Sequence, residues 1–417
     1  MNIAIIGGGA SGMTAAVAAS KLGASVTLFE HMPRLGRKLL ITGSGKCNIS
    51  NTDMDISHFH SGNIDIVSHV LTEYPPSETL AFLEKIGLYV KDRNGYLYPY
   101  SEQASAAVDV LRFAVRDCGI DVHIEADVKK IEKISQGSDK NTEGRFAVTT
   151  ADRTTYFDRV IICAGSCSNR NTGSDGSGYD IAAALGHKII KPLPALTYLT
   201  CEEPFYPSIA GIRTRAVISL FAYSRKGGDE RLLRSEPGEL QLTKTGISGI
   251  PVFNLSCIAI KSLEDGDKVT AVIDFLPDIS EDDISGFIKQ RLWNIGDRSI
   301  EEMFIGLLAK PLGICICKRC GLDLKAKCSS LTDRNIAELG YAIKKFETKV
   351  NGYGDFDSCQ TVQGGVDMTE LGDDLESKIV SGLYFAGEIL DVNGDCGGYN
   401  LQWAVSSGIC AATEACR

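Results

Sequence analysis

The sequence predicts an α/β chain with a parallel-stranded nucleotide-binding domain at its amino end, a strand-rich middle and a helical segment after it. Three observations predict this. Residues 2–6 form a short apolar run that passes through a glycine-rich turn into a helical pattern. Residues 196–275 carry strand-like runs separated by turns. The length of 417 residues, with 44% hydrophobic and 23% charged, suits two or three domains that each bury a core.

The amino-terminal element comes first. Asn2-Ile3-Ala4-Ile5-Ile6 reads as a buried parallel strand, and Met13 to Leu22 as a helix ending at Gly23. Between them lies Gly7-Gly8-Gly9-Ala10-Ser11-Gly12. Gly7 permits a tight turn, Gly9 lets backbone approach a pyrophosphate, and Gly12 lets helix pack on strand. Ala10 and Ser11 open the helix, where unpaired N–H groups and the positive dipole end favour phosphate. Ser25 to Phe29 is a second strand, and Glu30 follows it. A carboxylate there accepts both ribose hydroxyls and repels a 2′-phosphate, so the expected ligand is an adenosine diphosphate without that group.

The motif leaves NAD and FAD open. A second strand-like segment, Gly382 to Glu388, lies near the far end, and Gly394-Asp395-Cys396-Gly397-Gly398-Tyr399-Asn400-Leu401-Gln402 leads into a helical run. A carboxylate after a strand can hold a polyol hydroxyl, and a glycine-opened helix start can aim N–H groups at a ring carbonyl that gains negative charge. Both suit a long extended cofactor, FAD. No second GxGxxG follows a strand; Gly173 to Gly178 follows a polar loop and is expected to lie over the flavin. Any NAD(P)H is therefore expected to dock transiently as electron donor.

Residues 75–88 and 101–118 have helical periodicity, while 146–150, 154–157 and 160–163 read as strands. Further strands are expected at Leu196–Cys201, Ala216–Tyr223, Glu239–Thr243 and Lys268–Phe275, with a turn at Lys226-Gly227-Gly228-Asp229. A helix is expected from Ser280, a second from the capping box Ser299-x-x-Glu302 to a stop at Pro311, and a third over 333–346.

Composition narrows the partners. Net charge is −10, which argues against a broad nucleic-acid or anionic-membrane surface. No apolar run approaches the ~20 residues of a membrane span. With no export signal at Met1 and 14 scattered cysteines, a cytoplasmic location with free thiols is expected. Cys315, Cys317, Cys320 and Cys328 lack paired C-x2-C spacing and a nearby His, so no metal is expected there.

The run Gly36-Arg37-Lys38-Leu39-Leu40-Ile41-Thr42-Gly43-Ser44-Gly45-Lys46-Cys47-Asn48-Ile49-Ser50-Asn51 resembles the signature of the HI0933-like (YhiN/BaiN-type) family of FAD-binding oxidoreductases. Leu193 to Leu196, Gly246 to Gly249, and the stretch from Gly364 to Gln402 agree in order, so the resemblance covers essentially the whole chain. It implies a glutathione-reductase-like Rossmann FAD domain built from both chain ends, residues 1–190 and 361–417. An inserted β-barrel (191–278), a small helical subdomain (279–346) and a return through the barrel (347–360) separate them. It also implies that Lys38, Gly45, Cys47 and Asn48 lie along the cofactor. By the same resemblance Val128 meets the adenine through its backbone, Ala164 and Gly165 turn beneath the nucleotide, Gly387 and Glu388 hold the ribitol and pyrophosphate end, and Asn400 and Leu401 sit at the ring. Ser44, Lys46, Ser166 and Lys244 depart from the family pattern, and Lys244 puts in doubt the role of a histidine usual in that position.

The resemblance implies an NAD(P)H-linked flavin reductase acting on a small-molecule substrate with an activated C=C bond, a 3-oxo bile-acid-like enone. Tyr399, beside the proposed ring-contacting turn, is the first candidate for the proton donor, and Cys47 the second. A peroxide-forming oxidase of a small amine such as aminoacetone is the alternative. A flavoprotein of nucleic-acid modification is a third reading, opposed by the acidic charge.

Overall fold

The computed structural model describes residues 1–134, 145–224, 229–296 and 298–417; residues 226–228 of the turn expected at Lys226-Gly227-Gly228-Asp229 lie outside them. The chain divides into two compact units, Met1–Ala195 with Asp355–Arg417, and Leu196–Gly354.

The first unit is centred on a parallel sheet. Strand β1 (Asn2–Ile6) leads through the glycine turn into helix α1 (Ala10–Lys21) and then β2 (Ser25–Phe29). The sheet order is Leu383–Phe385, Arg159–Ile162, β1, β2, Asp121–His123, all neighbours parallel. Strands buried on both faces have no reason to alternate, which is why residues 3–6 and 160–162 are continuously apolar. The register aligns Ile6 with Phe29 and with Ile162, and Ile162 with Phe385. Every residue that follows these four ends therefore emerges at one edge: Gly7, Glu30, Cys163-Ala164-Gly165 and Ala386-Gly387-Glu388. That carboxyl edge is where open α/β sheets place ligands.

The closing helix, Tyr399–Ala415, packs on α1. A Cβ at Gly408 would lie 2.7 Å from the Ser11 carbonyl oxygen, so only glycine allows this approach. Helices Pro76–Lys85 and Ala104–Asp117 occupy the expected regions, the latter burying Ala104, Ala107, Val108, Leu111 and Val115. Strand Phe59–Ser61 pairs antiparallel with Val392–Gly394 and brings the two chain ends together a second time.

The second unit contains a closed barrel of six strands, in the order Leu199–Cys201, Gly246–Ser248, Arg231–Leu242, Arg213–Tyr223, Lys268–Asp274, Phe346–Tyr353. Alternation in Arg213–Tyr223 turns Ala216, Ile218, Leu220 and Ala222 inward. Three expectations need correction. Residues Ile250–Glu264 form a helix between barrel strands, where no element was expected; Pro251 sits in its first turn, where a missing N–H costs nothing. The capping box at Ser299 and Glu302 is present, yet it starts only the short 3-10 turn Ile300–Glu302, and Pro311 does not stop a helix but lies in the first turn of one, Lys310–Arg319. The other two helices are Ile284–Ile295 and Asp333–Lys344, and Phe346 opens a strand instead of closing a helix. Barrel residues such as Ile273 and helix residues such as Ile316 and Leu339 share one apolar cluster.

Among the described residues no group of three or more His, Cys, Asp or Glu side chains is placed to hold a metal ion, and no helix is long and apolar enough to cross a membrane.

Candidate cofactor and active site

The glycine turn separates by role when a Cβ is placed at each position. At Gly7, with φ +104°, it would lie 2.4 Å from the Cys163 carbonyl oxygen, and at Gly12 1.9 Å from the Gly7 oxygen. These two glycines are demanded by the fold. At Gly9 no protein atom lies within 4 Å of the added carbon, so the protein leaves open space beside that backbone. Gly9 is the N-cap of α1, no side chain caps it, and no acidic residue occupies the first turn with Ala10, Ser11 and Gly12. The first N–H groups of that helix thus remain available for an anion.

Glu30 leaves β2 buried, its two oxygens accepting from the Gly8 N–H at 2.8 Å and the Met32 N–H at 2.7 Å. The carboxylate is fixed beside the glycine turn. The backbone of Glu125-Ala126 is held against the same segment through Ala126 N–H to Glu30 O (2.9 Å) and Glu125 N–H to Met32 O (3.2 Å), with Val128 starting the next strand. Ala164 and Gly165 follow the Arg159–Ile162 strand, and Gly165 has φ +76°.

A polar cluster occupies the same edge. The Lys38 ammonium donates to Glu388 Oε2 at 2.6 Å and also to Ser168 Oγ. Ser166 and Thr361 hydroxyls approach the two Glu388 oxygens at 3.4 Å each. Gly387, with φ +80°, donates its N–H to Ser407 Oγ at 2.9 Å and accepts from the Trp403 indole at 3.3 Å.

The signature loop is wound through left-handed residues Gly43, Ser44 and Gly45, and Cys47 joins them with φ +59°. Two non-glycine residues in that region are uncommon and mark a backbone shaped by something other than local preference. Gly45 faces open space, and the Asn48 Oδ1 is buried without a hydrogen-bond partner. Cys47 is buried, which pushes its thiol up to about 11.

The start of the closing helix completes the edge. Gly398, at φ +97°, caps it without a side-chain bond; a Cβ there would lie 2.5 Å from the Ser50 carbonyl oxygen. Asn400 uses its side chain locally, accepting from Gly394 N–H at 2.8 Å and donating to Gly394 O at 2.9 Å, while Leu401 is half-buried. Tyr399 is buried, its ring stacked on His58 (4.5 Å, 20°) and edge-on to Phe59. Burial, then the Asp53 and Asp395 carboxylates, push its phenol well above the ordinary range.

Open space at Gly9 and Gly45, an orphaned carbonyl at Asn48 and two uncapped helix starts fit an extended dinucleotide. Sequence reasoning missed several residues that hold this edge. Asn51 Nδ2 donates to Gly397 O at 2.9 Å, and buried Gln402 accepts from Ser50 Oγ at 2.7 Å. His58, His60 and Asp395 come together here too; His-x-His beside a strand was the available signal, but Asp395 lies more than 330 residues away.

The sheet, glycine turn and carboxyl edge define a Rossmann-type dinucleotide-binding protein. The chain belongs to the HI0933-like family: the model of the HI0933-like protein Rossmann domain matches residues 1–414. It is a FAD-dependent oxidoreductase. The 3-dehydro-bile acid delta(4,6)-reductase of Clostridium scindens is 33% identical over 416 residues, covering 99% of this chain and 98% of that protein. The ribosomal RNA dihydrouridine synthase of Haemophilus influenzae is 28% identical, again over 99% of this chain and 98% of the relative. Among solved structures, the 3-ketosteroid delta1-dehydrogenase from Sterolibacterium denitrificans superimposes with a TM-score of 0.52 at 12% identity, covering 99% of both chains, a likeness of fold.

Proposed function

We propose that the protein is an NAD(P)H-linked reductase of an activated C=C bond in a small apolar enone of 3-oxo steroid or bile-acid type. One observation carries the substrate class: full-length similarity, at 33% identity, to a 3-dehydro-bile acid delta(4,6)-reductase. Bound FAD supplies a two-electron carrier that takes up and gives back hydride. The chain's residues bind, orient and manage protons. Gly7, Gly9, Ala10, Ser11 and Gly12 hold a pyrophosphate on the α1 N-terminus, with Glu30 at the ribose and Val128 at the adenine. Ala164 and Gly165 turn beneath the nucleotide, and Lys38, Gly387 and Glu388 hold its polyol and phosphate end. Gly45, Asn48, Asn400 and Leu401 line the ring, and the uncapped start of the closing helix stabilises negative charge facing it.

Tyr399 donates the proton that completes reduction. Its phenol and the Cys47 thiol are both held protonated at neutral pH, so each is able to give a proton rather than take one. Tyr399 takes precedence because it stands at the helix start itself. The donor nicotinamide docks transiently.

A second reading has its own observation: relatives at 28% and 26% identity are ribosomal RNA dihydrouridine synthases. The uracil C5=C6 bond is conjugated to a carbonyl, so the same chemistry serves a base in RNA. The net charge of −10 opposes it.

Anaerobic titration with NADH and with NADPH tests the reading. One of them is expected to bleach the flavin, and a 3-oxo-Δ4 or Δ4,6 steroid to restore it. Restoration by unmodified ribosomal RNA alone selects the second reading. Failure of both, with an amine bleaching the flavin and dioxygen yielding stoichiometric peroxide, selects the oxidase.

A further inference from the structure

Beside Tyr399 lies a group of ionisable side chains that the mechanism above does not use. Strand Phe59–Ser61 pairs with Val392–Gly394, and Asp395 N–H donates to His58 O at 2.8 Å, so the His58-Phe59-His60 segment runs alongside Asp395. Both imidazoles reach the same carboxylate: His58 Nδ1 is 3.2 Å from Asp395 Oδ2, and His60 Nε2 is 3.0 Å from Oδ1. The Asp395 side chain is 3% exposed, those of His58 and His60 27% and 31%. On its far side His58 Nε2 lies 3.3 Å from the solvent-exposed Asp53 carboxylate.

Carboxylate and imidazole alternate, with the buried Asp395 between two partly exposed rings. A buried carboxylate is costly unless it is paired or hydrogen-bonded, and imidazole is the side chain that supplies a partner charge reversibly near neutral pH. A carboxylate behind an imidazole also fixes its orientation and tautomer.

We infer that Asp53, His58, Asp395 and His60 form a proton relay that recharges Tyr399, and that His58 positions and electrostatically supports its phenol. The inference rests on Tyr399 being the proton donor. The need is physical: burial and two neighbouring carboxylates oppose formation of a phenolate at Tyr399. A protonated imidazole stacked on that ring offsets them. In the step itself, the Tyr399 O–H bond breaks as a C–H bond forms at the carbanionic α carbon of the substrate. The phenolate then regains a proton as an imidazolium N–H bond breaks, with the Asp53 carboxylate, 3.3 Å from His58 Nε2, as the carrier. Solvent returns one proton to the histidine pair. The groups facing this pair and the phenol are Asp53, Asp55, Asp395, Tyr96 and Cys396.

The test uses the FAD-loaded full chain. Imidazole 1H–15N spectra resolve six histidines, and His58→Asn and His60→Asn assign the two of interest. The His58 and His60 ring N–H resonances are expected to shift in Asp395→Asn, which removes their shared acceptor, leaving the other four in place. In single-turnover reoxidation by substrate, His58→Gln is expected to slow the proton-dependent step about tenfold or more and to abolish its neutral-pH limb, with FAD content unchanged. Resonances unmoved by Asp395→Asn, or a wild-type pH profile in His58→Gln, overturn the relay. If Asp395→Asn loses FAD, His60→Gln gives the same two readouts. Wild-type protein that no enone or uracil reoxidises refutes the functional reading instead, and the spectra still decide whether Asp395 couples the two rings.

Discussion

Substituting Gly9 by alanine separates a position kept for the cofactor from one kept for the fold. Gly9 has φ −79° and ψ −163°, which alanine adopts without strain, and its added Cβ meets no protein atom within 4 Å. Removing glycine's freedom in the unfolded chain favours the variant by about 0.4–1 kcal/mol. Losing glycine at an N-cap opposes it by a similar, about 0.5–1 kcal/mol, amount. The two nearly cancel, so the apoprotein Tm is expected to move by no more than about 2–4 °C. FAD affinity behaves differently, because the new methyl fills the space from which backbone N–H groups reach a pyrophosphate. Losing one charge-assisted hydrogen bond costs about 1.5–3 kcal/mol, which weakens binding roughly 10- to 100-fold. Fluorescence titration of FAD into apoprotein, with calorimetric melts of both states, measures the two effects separately. Gly12→Ala is the contrast, since its Cβ lies 1.9 Å from a backbone oxygen. Overpacking costs about 1–3 kcal/mol, more where the clash is with backbone as here, and lowers the apoprotein Tm. An unchanged FAD affinity in Gly9→Ala refutes the placement of the pyrophosphate; an apoprotein Tm as low as that of Gly12→Ala refutes the claim that the space is free.

Further outcomes follow from the same geometry. With its thiol at about 11 and its side chain buried, Cys47 is about one part in a thousand thiolate at pH 8; iodoacetamide should leave its peptide unlabelled until denaturant is added, and rapid labelling in the native protein contradicts this. Glu388→Gln strands the Lys38 ammonium, whose pair is 20% exposed on both sides, and should cost about 1–2 kcal/mol; adding Lys38→Met should recover part of it, and strict additivity of the two Tm changes argues against coupling. His187 is buried with Glu370 and Ser377 as partners, and burial lowers its pKa from 6.5 despite the Glu370 carboxylate. The unfolded chain then binds the extra proton first, so stability should fall as pH drops below about 6.5; melts at pH 7.5, 6.0 and 5.0 should show a slope that His187→Asn flattens.

The nucleotide edge was legible because its signals are local. An apolar run, a glycine turn and a carboxylate one strand later fall within 30 residues, and each is forced by sterics or charge that act between near neighbours. Gly398 at the start of the closing helix was readable for the same reason. Pro311 misled because proline ends a helix and opens one with equal ease, and only the packing of Lys310–Arg319 in the barrel's apolar cluster chose between them. Ile250–Glu264 was hidden by its closeness to strands, although Pro251 marked its first turn.

From residue order alone came the fold class, the Gly7–Gly12 turn with Glu30, and the family signature from Gly36 to Asn51, since periodicity and short-range sterics are written in consecutive residues. Tertiary structure decided which distant groups face one another: Lys38 with Glu388, and His58 and His60 with Asp395. Those pairings depend on strand register and on the meeting of the two chain ends, and a charge that must be neutralised when buried carries no mark in the sequence of where its partner will come from.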